Sequence, residues 1–184
     1  MGPLSTSKSQ ATRDRLLDAA ETVLVEHGAS ALTLEAVAAQ AGVSKGGLLY
    51  HFPTKDQLAA GLVARAVQRV DAALVDASSA GAPGSFTRAY IHVTLGDGSG
   101  HTAADPLSTA LLGALALDPS LLDPLREAYG RWQSRLERDG IDPADATLVR
   151  LAVDGWWTSL VLELPPLSPG LTAHVRSRLE ALST

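Results

Sequence analysis

The segment from Thr33 to Lys55 constrains the fold of this 184-residue chain most strongly, because residues that start and stop helices alternate along it at short intervals. Thr33 is a good N-cap, apolar residues then recur at helical spacing, and Gly42 can end the helix in the left-handed conformation. Ser44 can cap a second helix, which Pro53 ends. The segment therefore predicts two short helices joined by a glycine-containing turn.

Two helices joined by such a turn form a helix-turn-helix, whose second helix enters the DNA major groove. Leu48 and Phe52 are predicted to face inward, which leaves an outer surface of small, polar and basic residues. Glycine costs about 1 kcal/mol relative to alanine inside a helix, so close approach to the groove explains the two glycines better than structure does. The candidate DNA-binding residues of this helix are Lys45, Gly46, Gly47, Tyr50 and His51.

Two of these candidates have an alternative interpretation. Lys45 would be a solvated lysine near a helix start if it made no base-edge or phosphate contact. The alternative for His51 is that it braces the following helix instead of contacting DNA. The exposed start of the helix favours a DNA contact for Lys45, whereas the two roles of His51 are evenly balanced.

Residues 11 to 60 resemble the DNA-binding domain of the tetracycline-repressor (TetR) family of bacterial regulators. The resemblance rests on a leading helix with Leu16-Leu17-Asp18-Ala19-Ala20, on the turn glycine, and on the sequence Leu-Tyr-His-Phe-Pro-Thr-Lys that ends at Lys55. It implies that Thr33, Ser44 and Lys55 also contact DNA phosphates. The chain departs from the family at Leu49, where tyrosine is common and its hydroxyl tends to reach a phosphate.

Composition excludes several other classes of protein. The chain has no cysteine, and therefore no disulfide framework, zinc–thiolate site or thiol nucleophile. Residues Met1 to Gln10 lack the apolar core of a signal peptide, and no stretch approaches the roughly 20 apolar residues of a membrane helix. We therefore expect a soluble, cytoplasmic protein that does not associate with a membrane.

The net charge of −5 is distributed unevenly along the chain. Up to Lys55 five basic residues balance five acidic ones, so the whole net charge comes from the rest of the sequence. An acidic body repels phosphate and helps to direct the neutral end toward a duplex. This weak basicity predicts modest non-specific affinity for DNA, since that affinity scales with the number of phosphates neutralised.

The coarse pattern predicts an all-α fold of about nine helices, with no run that alternates like a strand. Helices are predicted over residues 9–26, over the two short segments of the motif, from residue 55 to about 77, and at about 85–96, 103–117, 120–139, 144–164 and 167–182. We predict a helix-turn-helix DNA-binding domain over residues 9–54. Residues 55–184 would then form a domain that binds an effector and dimerises.

The last two predicted helices are apolar around most of their circumference, which indicates burial on more than one side. One side can face the core of the domain and the other a second subunit, and two such hairpins would form a four-helix interface. The alternative is that both faces belong to the core of one chain. The predicted interface residues are Val153, Trp157, Leu160, Leu171, Val175 and Leu179.

The second domain is also predicted to bind a small, largely apolar ligand. Tryptophans are scarce in the chain, and with a polar handle they can line an apolar cavity. The candidates are His92, Trp132 and Trp156, with glycines at 96, 98 and 100 as a gate, although for each tryptophan taken singly an ordinary core position is favoured. We expect no metal and no cofactor.

Three functions compete at this point. The first is a transcriptional regulator, most simply a repressor, which dissociates from a palindromic operator when a ligand alters the tilt of the fourth helix. The second is a helical ligand carrier or enzyme, against which no nucleophile–base pair, phosphate-binding loop or HExxH helix is found. The third is a constitutive DNA-binding repressor that has no effector.

Overall fold

The computed structural model describes residues 4–78, 81–96, 118–162 and 164–184, with side chains from Lys8 onward. Within these ranges every regular element is helical, which confirms the all-α prediction. The α-helices of the described ranges are α1 (Leu4–His27), α2 (Leu34–Ala41), α3 (Lys45–His51), α4 (Lys55–Ala77), α5 (Ser85–Leu95), α6 (Asp123–Leu136), α7 (Pro143–Val161) and α8 (Pro169–Leu182). Short 3₁₀ turns occupy Ala29–Ala31 and Pro119–Leu122. The helix predicted at 103–117 lies outside the described residues.

Two compact units divide these helices between them. The first contains α1, α2, α3 and the beginning of α4 as far as Ala66, and the second contains α4 from Val67, α5, most of α6, α7 and α8. The contacts thus divide within α4, whereas the predicted boundary precedes this helix. No helix in the described ranges is both long and apolar enough to cross a membrane.

The helix-turn-helix is held together by local hydrogen bonds of the predicted kind. The Thr33 hydroxyl accepts the N–H of the residue three positions on at 3.1 Å, and the Ser44 hydroxyl does the same at 3.1 Å. Gly42 has φ +64° and ψ +36°, the left-handed conformation that ends α2. The Val43 N–H then donates to the Ala38 carbonyl at 3.0 Å, which completes a Schellman turn.

Gly61 of α4 lies where three helices of the first unit meet. A Cβ atom at this position would be 2.9 Å from Phe52 Cε1 and 3.3 Å from Leu17 Cδ2. Both of these side chains are buried, and the Arg13 guanidinium lies over the Phe52 ring at 5.0 Å from its centroid. Glycine therefore allows α4 to pack closely against the end of α3, a role that the sequence pattern had not identified.

Arg65 joins α4 to α1 through a group of polar contacts. Its Nη1 donates to Asp18 Oδ1 at 2.6 Å and to the Asp14 carbonyl at 3.2 Å, and its Nη2 pairs with Glu21 Oε1 at 2.6 Å. Only 11% of the Arg65 side chain is exposed. Since a nearly buried guanidinium is costly without its anions, these contacts fix the first part of α4 against α1.

The second unit is built around α5, which packs along α7. Phe86, Tyr90 and Ile91 of α5 are buried, as are Val149 and Val153 of α7. The first turn of α5 is capped from elsewhere in the chain, because the Asp139 carboxylate accepts the backbone N–H groups of residues 86 and 87 at 3.1 and 2.7 Å.

We predict that Gly61→Ala lowers the free energy of unfolding by about 1–3 kcal/mol, because the added methyl overpacks the contact with the Phe52 ring. Gly130→Ala is the matched control, since a Cβ at this α6 position would meet no atom within 4 Å. The control should be neutral or stabilising by up to about 1 kcal/mol through helix propensity. Urea unfolding followed by circular dichroism compares the two variants, and equal midpoints would contradict the packing role of Gly61.

Candidate functional site

Helix α3 exposes one face and buries the other, as predicted. Leu48 is fully buried and Phe52, which caps the helix, is 2% exposed. On the other side Lys45 and Gly46 are exposed, and Tyr50 is 80% exposed. Gly47 and His51 are half-buried, and the rings of Tyr50 and His51 meet edge to face with centroids 5.1 Å apart. The first unit thus presents a short helix with polar groups along an open side.

The two glycines of α3 differ in their surroundings. A Cβ at Gly46 would meet no atom within 4 Å of the described structure, so packing does not require glycine at this position. A Cβ at Gly47 would lie 3.3 Å from the Ser44 Oγ that caps the helix. The contact with the capping hydroxyl therefore explains the glycine at position 47. Gly46, in contrast, leaves the outer surface without a side chain and open to close approach by another molecule.

Thr33 and Ser44 use their hydroxyl oxygens as caps and are both exposed. A hydroxyl that accepts a hydrogen bond still carries one O–H donor, which is free to reach a phosphate oxygen. Lys55 is half-buried at the start of α4, where the Thr54 hydroxyl caps the helix by accepting the Gln57 N–H at 3.1 Å. The capping residues can therefore keep their structural role while they contact an anion.

Lys45 forms an ion pair with Glu35 on the first turn of α2. The Lys45 Nζ lies 2.6 Å from Glu35 Oε1, and both side chains are largely exposed, at 59% and 65%. The hydrogen bond from Lys45 lowers the pKa of the Glu35 carboxyl below its usual range. Glu35 was not among the residues that the sequence predicted to contact DNA. Its opposite charge to Lys45 across a short turn was the signal that could have revealed the pair.

A polar group lies inside the second unit and centres on Asp154. The Tyr90 hydroxyl donates to Asp154 Oδ1 at 2.6 Å, the Tyr129 hydroxyl donates to the same oxygen at 3.3 Å, and Arg150 Nη1 donates to Oδ2 at 2.9 Å. Burial raises the pKa of the Asp154 carboxyl, and it also raises the pKa of Tyr129 to about 12. These four side chains supply aromatic surface and charge within one small volume.

The three predicted effector residues lie in different environments. Trp132 is 4% exposed, and its indole N–H donates to Asp71 Oδ1 at 2.6 Å, which satisfies its polar atom within the unit. His92 is exposed on α5, and Trp156 is half-buried with the Arg176 guanidinium 5.9 Å from its ring centroid. Glycines 98 and 100 of the predicted gate lie outside the described residues.

A pocket of about 380 Å³ opens elsewhere in the second unit, and His92, Trp132 and Trp156 are not part of its lining. It lies between the start of α5 and the end of α6. Its lining residues are Gly81, Ala82, Pro83, Ser85, Phe86, Arg135, Arg138, Asp139 and Gly140.

The predicted interface residues divide between the core and the surface. Val153 is fully buried and Leu179 is 6% exposed, so both side chains lie in the core of the unit. Val153 is buried because its side of α7 packs on α5. Trp157 and Val175 are half-buried, whereas Leu160 and Leu171 are 53% and 48% exposed.

Further exposed leucines on α7 and on the connection that follows it were not among the predicted interface residues. These are Leu148, Leu151, Leu162, Leu164 and Leu167, each between 45% and 57% exposed. Periodicity had indicated apolar residues nearly all round α7, but it could not say which side the domain core would take.

Comparisons with known protein families match most of the chain. Residues 16–62 match the family described as bacterial regulatory proteins, tetR family. Residues 84–184 match the family described as tetracyclin repressor-like, C-terminal domain. A comparison with curated proteins found no match.

Solved structures with the same fold include several regulators. A TetR-family member from Streptomyces coelicolor A3 is 28% identical, with 91% of this chain and 97% of that chain covered and a TM-score of 0.63. A transcriptional regulator from Rhodococcus sp. Rha1 is 25% identical, with 93% of each chain covered and a TM-score of 0.69. The multidrug binding protein EbrR, solved with ethidium, is 25% identical, with 93% and 98% covered and a TM-score of 0.67.

Proposed function

We propose that this chain, which belongs to the TetR family and is therefore a DNA-binding transcriptional regulator, is a repressor that a small, largely apolar ligand releases from its operator. Residues 9–54 would bind the operator, and residues 55–184 would bind the effector and a second subunit. In this proposal the protein is not an enzyme and acts in the cytoplasm, where bacterial DNA is found.

The observation that carries the DNA-reading proposal is the open outer face of α3. Leu48 and Phe52 anchor the helix from behind, whereas Gly46 has no neighbour that explains the absence of a side chain. Lys45 and Tyr50 flank this bare surface with a cation and a phenol. A helix of this kind can approach the floor of the major groove closely, with the donors for base edges and phosphates beside it. Thr33, Ser44, Gly47, His51 and Lys55 complete the proposed contact surface.

We predict that Gly46→Leu lowers operator affinity at least about tenfold, because a side chain at the groove floor prevents base contacts worth about 1–3 kcal/mol each. The operator is first obtained by binding selection from random duplexes, and affinity is measured by fluorescence anisotropy. The melting temperature should not fall, since the added side chain enters open space.

Gly130→Leu makes the same change on the exposed surface of α6, and it should leave operator affinity unchanged. Wild-type affinity in Gly46→Leu would show that α3 does not read the operator. A fall of equal size in both variants would point to a general effect on the fold rather than on DNA reading.

We propose that the exposed leucines of α7, α8 and their connection form a homodimer interface. Isolated exposed leucines are ordinary, but a group this large on adjoining elements is typical of an interaction surface. A two-fold dimer would also give the protein two copies of α3, which palindromic half-sites roughly 34 Å apart require. In this proposal Leu160 and Leu171 contact the partner directly, while Trp157 and Val175 contact it at their exposed edges. Val153 and Leu179 support the surface from inside.

We predict that Leu171→Asp yields monomers and weakens operator binding, because a carboxylate would be buried without a partner at the interface. Val75→Asp is the matched control, since Val75 is an exposed apolar residue of α4, with 57% of it accessible. At a concentration at which the wild type is monomeric, both variants should have the melting temperature of the wild type. Sedimentation velocity at micromolar concentration measures the assembly, and a dimeric Leu171→Asp protein would contradict this interface.

Coupling between ligand and operator is proposed to run through α4. The first part of this helix is tied to α1 by Arg65, and its later part is tied to α6 by Asp71, which accepts from both Trp132 and Arg131. Effector binding that alters the later part of α4 would therefore also alter its first part, against which α3 is packed. The ligand needs only to prefer the non-binding state, and each tenfold change in affinity corresponds to about 1.4 kcal/mol of coupling.

We predict that tetraphenylphosphonium, an apolar aromatic cation, quenches tryptophan fluorescence and lowers operator affinity. The choice rests on EbrR, which binds ethidium, and on the aromatic rings of Tyr90, Tyr129 and Trp132, since such rings attract cations. Ethidium itself intercalates into DNA and would obscure the measurement. Operator must weaken tetraphenylphosphonium binding by the same factor.

Equal affinity for the cation with and without operator would end the allosteric claim for this ligand. Operator binding that no apolar compound alters, across a screen of neutral, anionic and cationic molecules, would favour the constitutive repressor instead.

A further inference from the structure

The recognition helix α3 carries a single permanently charged cation, Lys45, in its sequence Lys-Gly-Gly-Leu-Leu-Tyr-His. Glu35 of α2 neutralises this cation through the 2.6 Å ion pair. Because the residues up to Lys55 carry balanced charge, the pair removes a substantial part of the local attraction that α3 could exert on phosphates. The reading surface of the free protein is therefore close to electrically neutral at the point where it would meet DNA.

We propose that Glu35 is a specificity-determining residue that holds Lys45 away from non-specific phosphates and releases it only to the operator. The proposal rests on the DNA-reading role of α3. In a non-specific complex Lys45 stays paired with Glu35 and adds nothing to the affinity. In the operator complex a base edge or a correctly placed phosphate replaces Glu35 as the partner of Lys45.

The exposure of the pair makes this exchange possible. Both side chains are more than half exposed, so water and ions screen their attraction and neither group has to be desolvated to separate them. An exposed ion pair of this kind changes an equilibrium constant by only about two- to fivefold. A bidentate contact with a guanine edge is stronger than that, whereas one loosely held phosphate is not.

Glu35 also has a structural role that the test must separate from the proposed one. It lies in the first turn of α2, where a negative charge favours the helix N-terminus. The Thr33 cap and the left-handed Gly42 remain in any Glu35 variant and continue to define both ends of α2. A Glu35→Gln substitution keeps the length of the side chain, so α2 should form and the charge alone is removed.

The experiment compares the wild type with Glu35→Gln, Lys45→Ala and the double variant on the selected operator and on a random duplex of equal length. Glu35→Gln should tighten random-duplex binding by about two- to fivefold and tighten operator binding less, so that the specificity ratio falls. The slope of log affinity against log salt on random DNA should become steeper by about 0.9 for each protomer, which corresponds to one additional phosphate contact.

Glu26→Gln is the matched control, because it removes the same charge from an exposed glutamate of α1 that pairs with His27 and not with Lys45. It should leave the specificity ratio unchanged, and the three single variants, the double variant and the wild type should melt alike. Glu35→Gln should have no effect in the Lys45→Ala background, since the released cation is then missing.

Two results would overturn the proposal. Unchanged random-duplex affinity in Glu35→Gln would show that the ion pair does not restrain Lys45. An equal gain in the Lys45→Ala background would show that Glu35 acts through its own repulsion of phosphate. Failure of the underlying DNA-reading role would look different, because Gly46→Leu and Lys45→Ala would then both bind the operator like the wild type.

Discussion

The close approach of α4 to the end of α3 at Gly61 is the contact on which the orientation of the reading surface depends. Phe52 lies between these helices, with Leu17 beside it and Arg13 over its ring. A seven-residue helix is too short to be stable alone, so its direction must come from packing. Because Phe52 and Leu48 supply that packing from the buried side, the outer surface of α3 can contain glycine, although every other residue except proline favours a helix more.

Charge imposes a second constraint on the same surface. An acidic protein that binds DNA must gain affinity from a few well-placed contacts, since it lacks the basic surface that would hold any duplex. The ion pair between Lys45 and Glu35 makes this requirement stricter, because Glu35 neutralises the positive charge of α3 until a better partner for Lys45 is present. Weak general attraction and selective recognition are then consequences of one arrangement, as specificity is a difference between two affinities.

The sequence predicted those features whose causes are local. The caps at Thr33 and Ser44 and the left-handed Gly42 depend on residues within one or two helical turns, and all three were predicted correctly. Features that join distant segments were missed, such as the contact of Gly61 with Phe52 and the bonds of Arg65 to α1. The burial of Val153 was missed for the same reason: periodicity shows that α7 is apolar on several sides, but only packing decides which side meets α5.

The largely buried group of polar side chains around Asp154 carries a desolvation cost for the second unit. Desolvation disfavours the carboxylate and raises its pKa, while bonds from Tyr90, Tyr129 and Arg150 offset part of that penalty. An apolar residue of similar size would avoid the penalty altogether, since well-packed hydrophobic replacements of buried charges are often neutral or stabilising. A carboxylate held by two phenols and a guanidinium instead joins α5 and α6 to α7 through directional bonds, which an apolar interior alone does not provide.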